Sequence, residues 1–190
     1  MVKHKVILAS QSPRRKELLS QLQIPFDILI KEEVKELFPD DMPAEEVPVF
    51  LAQQKARPYK DDCALDDILV ITADTIVCCD HHILGKPSDR EEAVAMLQML
   101  SGKEHEVITG VALTTSEKQK TFTVSSKVFF KELSADEIDF YIDHYKPFDK
   151  AGAYGIQEWI GMIGIERIEG SYFNVVGLPV QRLYTELRNF

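Results

Sequence analysis

Val6-Ile7-Leu8-Ala9 is a short, unbroken apolar run, the pattern of a strand covered on both faces. Ser12-Pro13 then predicts a helix, with Ser12 as N-cap, Pro13 at the first helical position, and Leu18, Leu19 and Leu22 as its apolar stripe. Residues 26–30 read as a second strand. Residues 31–48 are acidic and carry Pro39, Pro43 and Pro48, so they predict a loop leading into a helix that runs through Lys55 and Ala56. The polar segment 57–67 reads as another surface connection. Residues 68–77, Ile-Leu-Val-Ile-Thr-Ala-Asp-Thr-Ile-Val, are the strongest strand signal in the chain, and Asp80-His81-His82 turns them into a hairpin with Ile83-Leu84-Gly85.

Ser88-Asp89-Arg90-Glu91 has the form of a capping box, followed by Ala93, Met96, Leu97 and Leu100 at helical spacing and Gly102 as the stop. Two long strands, about 105–115 and 119–131, come next. Ser134-Ala135-Asp136-Glu137 caps a further helix carrying Ile138, Tyr141 and Ile142. A glycine-rich loop (150–157), a strand near 163–168, and a helix entered at Pro179 with Val180, Leu183 and Leu187 inward complete the chain. Strands and helices interleave but hairpins intervene, so the pattern predicts an α/β fold with a mixed sheet.

The 190 residues suffice for one α/β domain with a substantial core, or for two lobes around a cleft, and 45% apolar with 28% charged residues is ordinary for a globular protein. No apolar run approaches the roughly 20 residues that span a bilayer. The N-terminal apolar stretch is too short for a signal peptide and is read as the first strand, which predicts a cytoplasmic protein. Cys63, Cys78 and Cys79 are odd in number and two are adjacent, which suits neither a disulfide framework nor a zinc site and predicts buried free thiols. With 22 basic against 31 acidic residues, the net charge of −9 argues against an extended nucleic-acid surface but leaves room for a local basic pocket holding one small polyanion.

One such pocket is predicted at Ala9-Ser10-Gln11-Ser12-Pro13-Arg14-Arg15, where a strand ends and a helix begins. Free backbone N–H groups and the positive end of the helix dipole converge there. Two arginines stand in a first turn that normally favours acidic residues, so a bound anion is the expected compensation; two solvated arginines on an exposed turn are the alternative. Asp74, among Ile, Val and Ala, is costly unless it is paired, hydrogen-bonded or metal-bound. A catalytic role and a structural role at a bulge both account for it. Lys86, fixed in Gly85-Lys86-Pro87 beyond the hairpin turn, is either a cleft lysine or a surface one. Lys55 is unremarkable in isolation. Asp149 to Gln157 and Gly170 to Pro179 fit either loops lying against a ligand or turns that merely pack.

These pieces, in this order, resemble the Maf family of nucleotide pyrophosphatases. The matching stretches are residues 9–15, Lys55-Ala56, Ala73-Asp74-Thr75, Gly85-Lys86-Pro87, Thr109-Gly110-Val111, Lys150 to Gln157 and Gly170 to Pro179, nearly the whole chain. The resemblance implies a mixed, mostly curved sheet flanked by helices with a deep central cleft, as in inosine triphosphatase-like proteins, and one such domain over residues 1–190. It also implies a divalent cation, Mg²⁺ or Mn²⁺, release of pyrophosphate with a nucleoside monophosphate, and a homodimer. Arg14, Thr75 and Gln157 together look like the branch that acts on dTTP and UTP. The family's Asp-Glu-Ser or Asp-Glu-Thr triplet falls, by spacing to Lys55, on Lys35-Glu36-Leu37, keeping the glutamate but neither neighbour; Glu33 is the alternative placement.

On that resemblance, Ser10, Arg14, Arg15, Lys55 and Lys86 would bind the phosphates. A triphosphate carries about four negative charges, which fork-shaped guanidinium groups and lysine point charges can match. Glu36 and Asp74 would hold the metal, Asp74 is the candidate general base, and Asp74, Glu36 and Lys86 together would form the catalytic set. Two other readings stay open: a pyrophosphatase for purine or modified triphosphates, and a nucleotide-binding regulator of cell division.

Overall fold

The computed structural model describes residues 4–31, 34–65 and 67–190. Strand β1 (Lys5–Leu8) leads into α1 (Pro13–Ser20) and β2 (Phe26–Ile28). Helix α2 (Val47–Ala56) passes through a 3₁₀ turn at Arg57–Tyr59 into α3 (Lys60–Leu65). Then come β3 (Ile68–Cys79), β4 (His82–Leu84), α4 (Arg90–Leu100), β5 (Glu104–Thr114) and β6 (Gln119–Phe130). Helix α5 (Ala135–Tyr145), a 3₁₀ turn at Ala151–Ala153, α6 (Trp159–Gly164), β7 (Ile165–Glu169), α7 (Tyr172–Val176) and α8 (Val180–Arg188) complete the order. The sheet runs β2-β1-β3-β5-β6-β7, with β4 paired to β3. It is mixed, as the hairpins require: β1 is parallel to both neighbours, whereas β3–β4 and β6–β7 are antiparallel.

The chain divides into two compact units. The first comprises Met1–Asp74, Thr109–Val124 and Gly177–Phe190; the second comprises Thr75–Ile108 and Ser125–Val176. In the first, β1 buries Val6, Ile7 and Leu8 between two parallel neighbours, which explains its unbroken apolar run. Leu18 and Leu19 of α1 are buried, and Val180, Leu183 and Leu187 of α8 face inward as their spacing requires. Glu186 lies among them, only 5% exposed, and keeps its charge satisfied by ion pairs with Lys120 and Arg182. In the second unit, Ala93, Met96, Leu97 and Leu100 of α4 meet Ile138, Tyr141 and Ile142 of α5 in one core with Val107, Val128 and Phe130.

The capping box at Ser134 forms as its sequence requires, the hydroxyl accepting from Glu137 N–H while the Glu137 carboxylate accepts from Ser134 N–H. At α4 the cap sits one residue later than expected. Asp89 is the N-cap, accepting from Glu92 N–H at 2.8 Å, while Ser88 gives both its N–H and its hydroxyl to the Glu92 carboxylate. A carboxylate at the cap also favours the dipole more than a hydroxyl does. Asp80 and His81 both take positive φ, the geometry that lets a two-residue turn match the twist of its hairpin.

Three expectations need correction. Residues 57–65 are helical rather than a plain polar connection, because Tyr59 and Cys63 bury against Ile7, Ile68 and Val70. Tyr59 and Cys63, four apart in a segment rich in Lys and Asp, are too few to register as periodicity. Segments 159–164 and 172–176 are short helices where no helix was expected. Cys63 and Cys79 are buried free thiols, but Cys78 is only half-buried, since strand alternation points it away from its neighbour's side. Among the described residues, no helix is long and apolar enough to cross a membrane.

Candidate active site

Strand alternation places Thr72 and Asp74 on the same face of β3. Thr72 Oγ1 donates to Ala52 O of α2 at 2.7 Å, fastening that helix to the strand two residues from Asp74. Gly110 of β5 gives α2 a second seat: a Cβ there would lie 2.2 Å from Val49 N and 2.3 Å from Pro48 C. The helix therefore rests on bare backbone, and Lys55, in its last turn, is carried to Asp74. Lys55 Nζ lies 2.5 Å from Asp74 Oδ1 and 2.7 Å from Glu36 Oε1. Glu36 comes from an extended loop that Gln54 tethers to α2 by donating to Leu37 O at 3.1 Å. The alternative Glu33 lies outside the described residues.

Asp74 is the least accessible member, with 9% of its side chain exposed against 22% for Lys55 and 37% for Glu36. Burial pushes the Asp74 carboxyl above the usual carboxylate range; Lys55 and Arg15 oppose the rise, and Glu36 adds to it. A carboxylate of that kind binds a proton more avidly than a solvated one.

The turn after β1 forms as its sequence predicts: Ser12 caps α1, accepting from Arg15 N–H, and Ser12 N–H in turn donates to Ser10 Oγ at 3.2 Å. Arg15 is half-buried and has a task that spacing did not reveal. Its Nε donates to Gly177 O at 2.8 Å and an Nη to Ala73 O at 2.9 Å, so it braces the entrance of α1 against the strand residue preceding Asp74. Desolvation works against its charge and Asp74 works in its favour. Arg14 stands beside it and adds positive charge.

Arg15, Glu36, Lys55 and Asp74 are thus brought together in the first unit, with Ser10 and Arg14 at the mouth of α1 in the same unit. Thr75, Lys86 and Gln157 belong to the second. Within that unit, Leu84 pairs with Val77, and the following Gly85 accepts from Gly152 N–H at 3.0 Å. The Gly85-Lys86-Pro87 segment is thereby tied to the loop that carries Gln157. Residues 152–156 are buried and Gln157 is exposed.

Residues 5–190 match the family of Maf-like proteins. The chain belongs to the Maf family. It is 56% identical over 186 residues to a dTTP/UTP pyrophosphatase of Phocaeicola vulgatus, covering 98% of this chain and 96% of that protein. It is 53% identical over 188 residues to a dTTP/UTP pyrophosphatase of Parabacteroides distasonis, covering 99% and 97% respectively. The solved structure of a HAM1 protein from Coxiella burnetii superposes with a TM-score of 0.54 at 12% sequence identity, over 98% of this chain and all of that one, which shows a common fold.

Thr72 and Gln54 were missed as site-forming residues, and Gly110 was named only within a stretch matching the family, without its role as a seat for α2. Thr72 left one signal, a hydroxyl in the middle of a buried apolar run, where an unsatisfied polar group would be costly. Gln54 left none, because its partner is a main-chain carbonyl in an irregular loop.

Proposed function

We propose that this chain hydrolyses dTTP and UTP to the nucleoside monophosphate and pyrophosphate, acting on free nucleotide in the cytoplasm. The carrying observation is the cluster in which Lys55 holds both Glu36 and the buried Asp74 beside Arg15, on a chain more than half identical to proteins named dTTP/UTP pyrophosphatase. A buried carboxylate is costly to desolvate even when cations pair it, and carboxylates perturbed in this way cluster at functional sites.

Ser10, Arg14, Arg15, Lys55 and Lys86 bind the phosphate oxygens, and Arg15 also braces the α1 entrance through Gly177 O and Ala73 O. Asp74 takes a proton from the attacking water as its oxygen bonds to the α-phosphorus; the bridging bond to the β-phosphate breaks, and its electron pair leaves with pyrophosphate. Burial raises the proton affinity of Asp74 above that of a solvated carboxylate, in the direction that helps it accept a proton from water. Thr75, Gln157 and Arg14 select the base. A glutamine amide offers an acceptor and a donor, matching the N3–H and adjacent carbonyl of thymine or uracil.

Glu36 and Asp74 fit a divalent ion, because both carboxylates reach one cationic centre and hard oxygen donors suit Mg²⁺ or Mn²⁺. Among the described residues no group of three or more His, Cys, Asp or Glu side chains converges, so the substrate phosphates would complete the ligand set. Such an ion offsets charge on the phosphate oxygens when bound. We further propose a homodimer with no nucleic-acid partner.

Pyrophosphate release measured across dTTP, UTP, CTP and purine triphosphates, with Mg²⁺, with Mn²⁺ and with EDTA, tests the reading. The expected result is metal-dependent turnover that favours dTTP and UTP. Faster turnover of purine triphosphates would overturn the substrate assignment, undiminished turnover in EDTA the metal, and nucleotide binding without turnover the enzymatic reading itself.

A further inference from the structure

The loop that presents Gln157 is held from beneath by a polar cluster, all of it in the second unit. Tyr141 of α5 is fully buried; its hydroxyl donates to the Glu158 carboxylate and accepts from Gly155 N–H at 3.0 Å. The other oxygen of Glu158 pairs with Lys150 Nζ at 3.1 Å. Lys150 is itself only 8% exposed, and also pairs with Asp149. One phenol, one carboxylate and one ammonium thus link both ends of the 150–158 loop to the middle of α5.

Gly155 fits this arrangement sterically. A Cβ at that position would lie 2.9 Å from Glu158 Cδ and 3.1 Å from Lys150 Cε, so the paired side chains occupy the space where a side chain would stand. A buried charge with one partner removed is costly, so the three groups hold one another in a single arrangement. The loop is also closed on its other side: Gly152 packs on Val77, and Ile156 O would lie 1.9 Å from a Cβ at Gly161. Five consecutive buried residues end at the exposed Gln157, directly before Glu158. Small displacements of Glu158 are therefore transmitted to Gln157 through one peptide unit.

We infer that Tyr141, Glu158 and Lys150 form a buried clamp that positions Gln157, making Tyr141 a specificity-positioning residue that never touches the nucleotide. The inference rests on the reading that Gln157 selects the pyrimidine base.

The test uses full-length Tyr141→Phe, with Gly155→Ala as a second variant because the atoms it displaces belong to flexible side chains. Trp159, the only tryptophan in the sequence, lies two residues after Gln157 and reports on the loop through its emission. Three readouts are taken: hydrogen exchange over 152–158 together with Trp159 emission, the UTP-to-CTP ratio of kcat/KM, and inhibition by pyrophosphate. Both variants are expected to exchange faster over 152–158. Each should lose about tenfold in the UTP-to-CTP ratio, the loss expected of one misplaced hydrogen-bonding group, while pyrophosphate inhibition stays within about twofold of wild type, since the phosphate contacts lie on other residues. In a Gln157→Ala background, Tyr141→Phe should change the ratio no further.

Unchanged exchange and emission in both variants would overturn the clamp. Faster exchange with an unaltered ratio, where Gln157→Ala alone abolishes the preference, would overturn its role in specificity. If Gln157→Ala keeps the wild-type ratio, the base-reading role of Gln157 itself fails, and the specificity role of the clamp falls with it.

Discussion

Replacing Lys55 by methionine keeps most of the side-chain volume of α2 while removing the cation between Glu36 and Asp74. Lys55 Nζ is 2.5 Å from one carboxylate and 2.7 Å from the other, so the substitution breaks two ion pairs at once. Breaking a fully buried pair costs about 3–5 kcal/mol, whereas an exposed pair contributes about 0–1 kcal/mol. The Asp74 contact lies towards the buried limit, with 9% of that side chain exposed, and the Glu36 contact towards the exposed one, at 37%. Lys55→Met should therefore cost about 2–3 kcal/mol, nearly all of it through Asp74. Asp74→Asn removes the buried charge itself, so it should largely relieve that cost when combined with Lys55→Met. A coupling of about 1–2 kcal/mol between the two positions is expected. Urea unfolding of the metal-free wild type, both single variants and the double variant, at one pH and with matched m-values, closes the cycle. The single variants should also lose turnover, Asp74→Asn by about 10²–10⁴-fold, as expected on removing a general base. Additivity within about 0.5 kcal/mol would refute the reasoning, because Lys55 would then not be what makes the Asp74 charge tolerable.

Gly110→Ala should destabilise by about 1–3 kcal/mol, as overpacking does, and should reduce turnover because α2 carries Lys55; an unchanged melting curve would mean that α2 does not rest on that backbone. His105 is 3% exposed, shares a 2.8 Å hydrogen bond with Tyr154, and is pushed by burial from 6.5 to about 4. Its folded form resists protonation, so its contribution is complete above pH 6.5 and is lost as pH falls towards about 4, by about 3 kcal/mol in total. His105→Phe should flatten that part of the stability profile, and a variant with the wild-type slope would assign the slope elsewhere. Gln157→Glu replaces the amide donor by a carboxylate and should depress dTTP and UTP turnover far more than it alters metal dependence; a wild-type UTP-to-CTP ratio would show that Gln157 does not read the base.

Local patterns carried the elements whose signals are periodic or chemical. The apolar run at Val6–Leu8, the Ser12-Pro13 helix start, the capping box at Ser134 and the inward face of α8 all form as neighbouring residues alone require, because caps, turns and amphipathic stripes are satisfied within a few residues. The charges of the site were likewise legible one by one: Asp74 was conspicuous in an apolar strand and Arg14 and Arg15 at a helix start. Their companionship was not. Lys55 meets Asp74 only because Thr72 and Gly110 seat α2 on the sheet, contacts that span roughly 20 and 60 residues of chain and leave no periodic trace. For the same reason, nothing in the sequence showed that Arg15 also donates to two main-chain carbonyls, Gly177 O and Ala73 O. The helical stretch 57–65 was hidden because its buried Tyr59 and Cys63 are meaningful only against strands they meet in the folded chain. Residue types and spacing thus determined which chemistry was present; long-range packing decided which charges face one another, since an ion pair depends on distance in space and not in sequence.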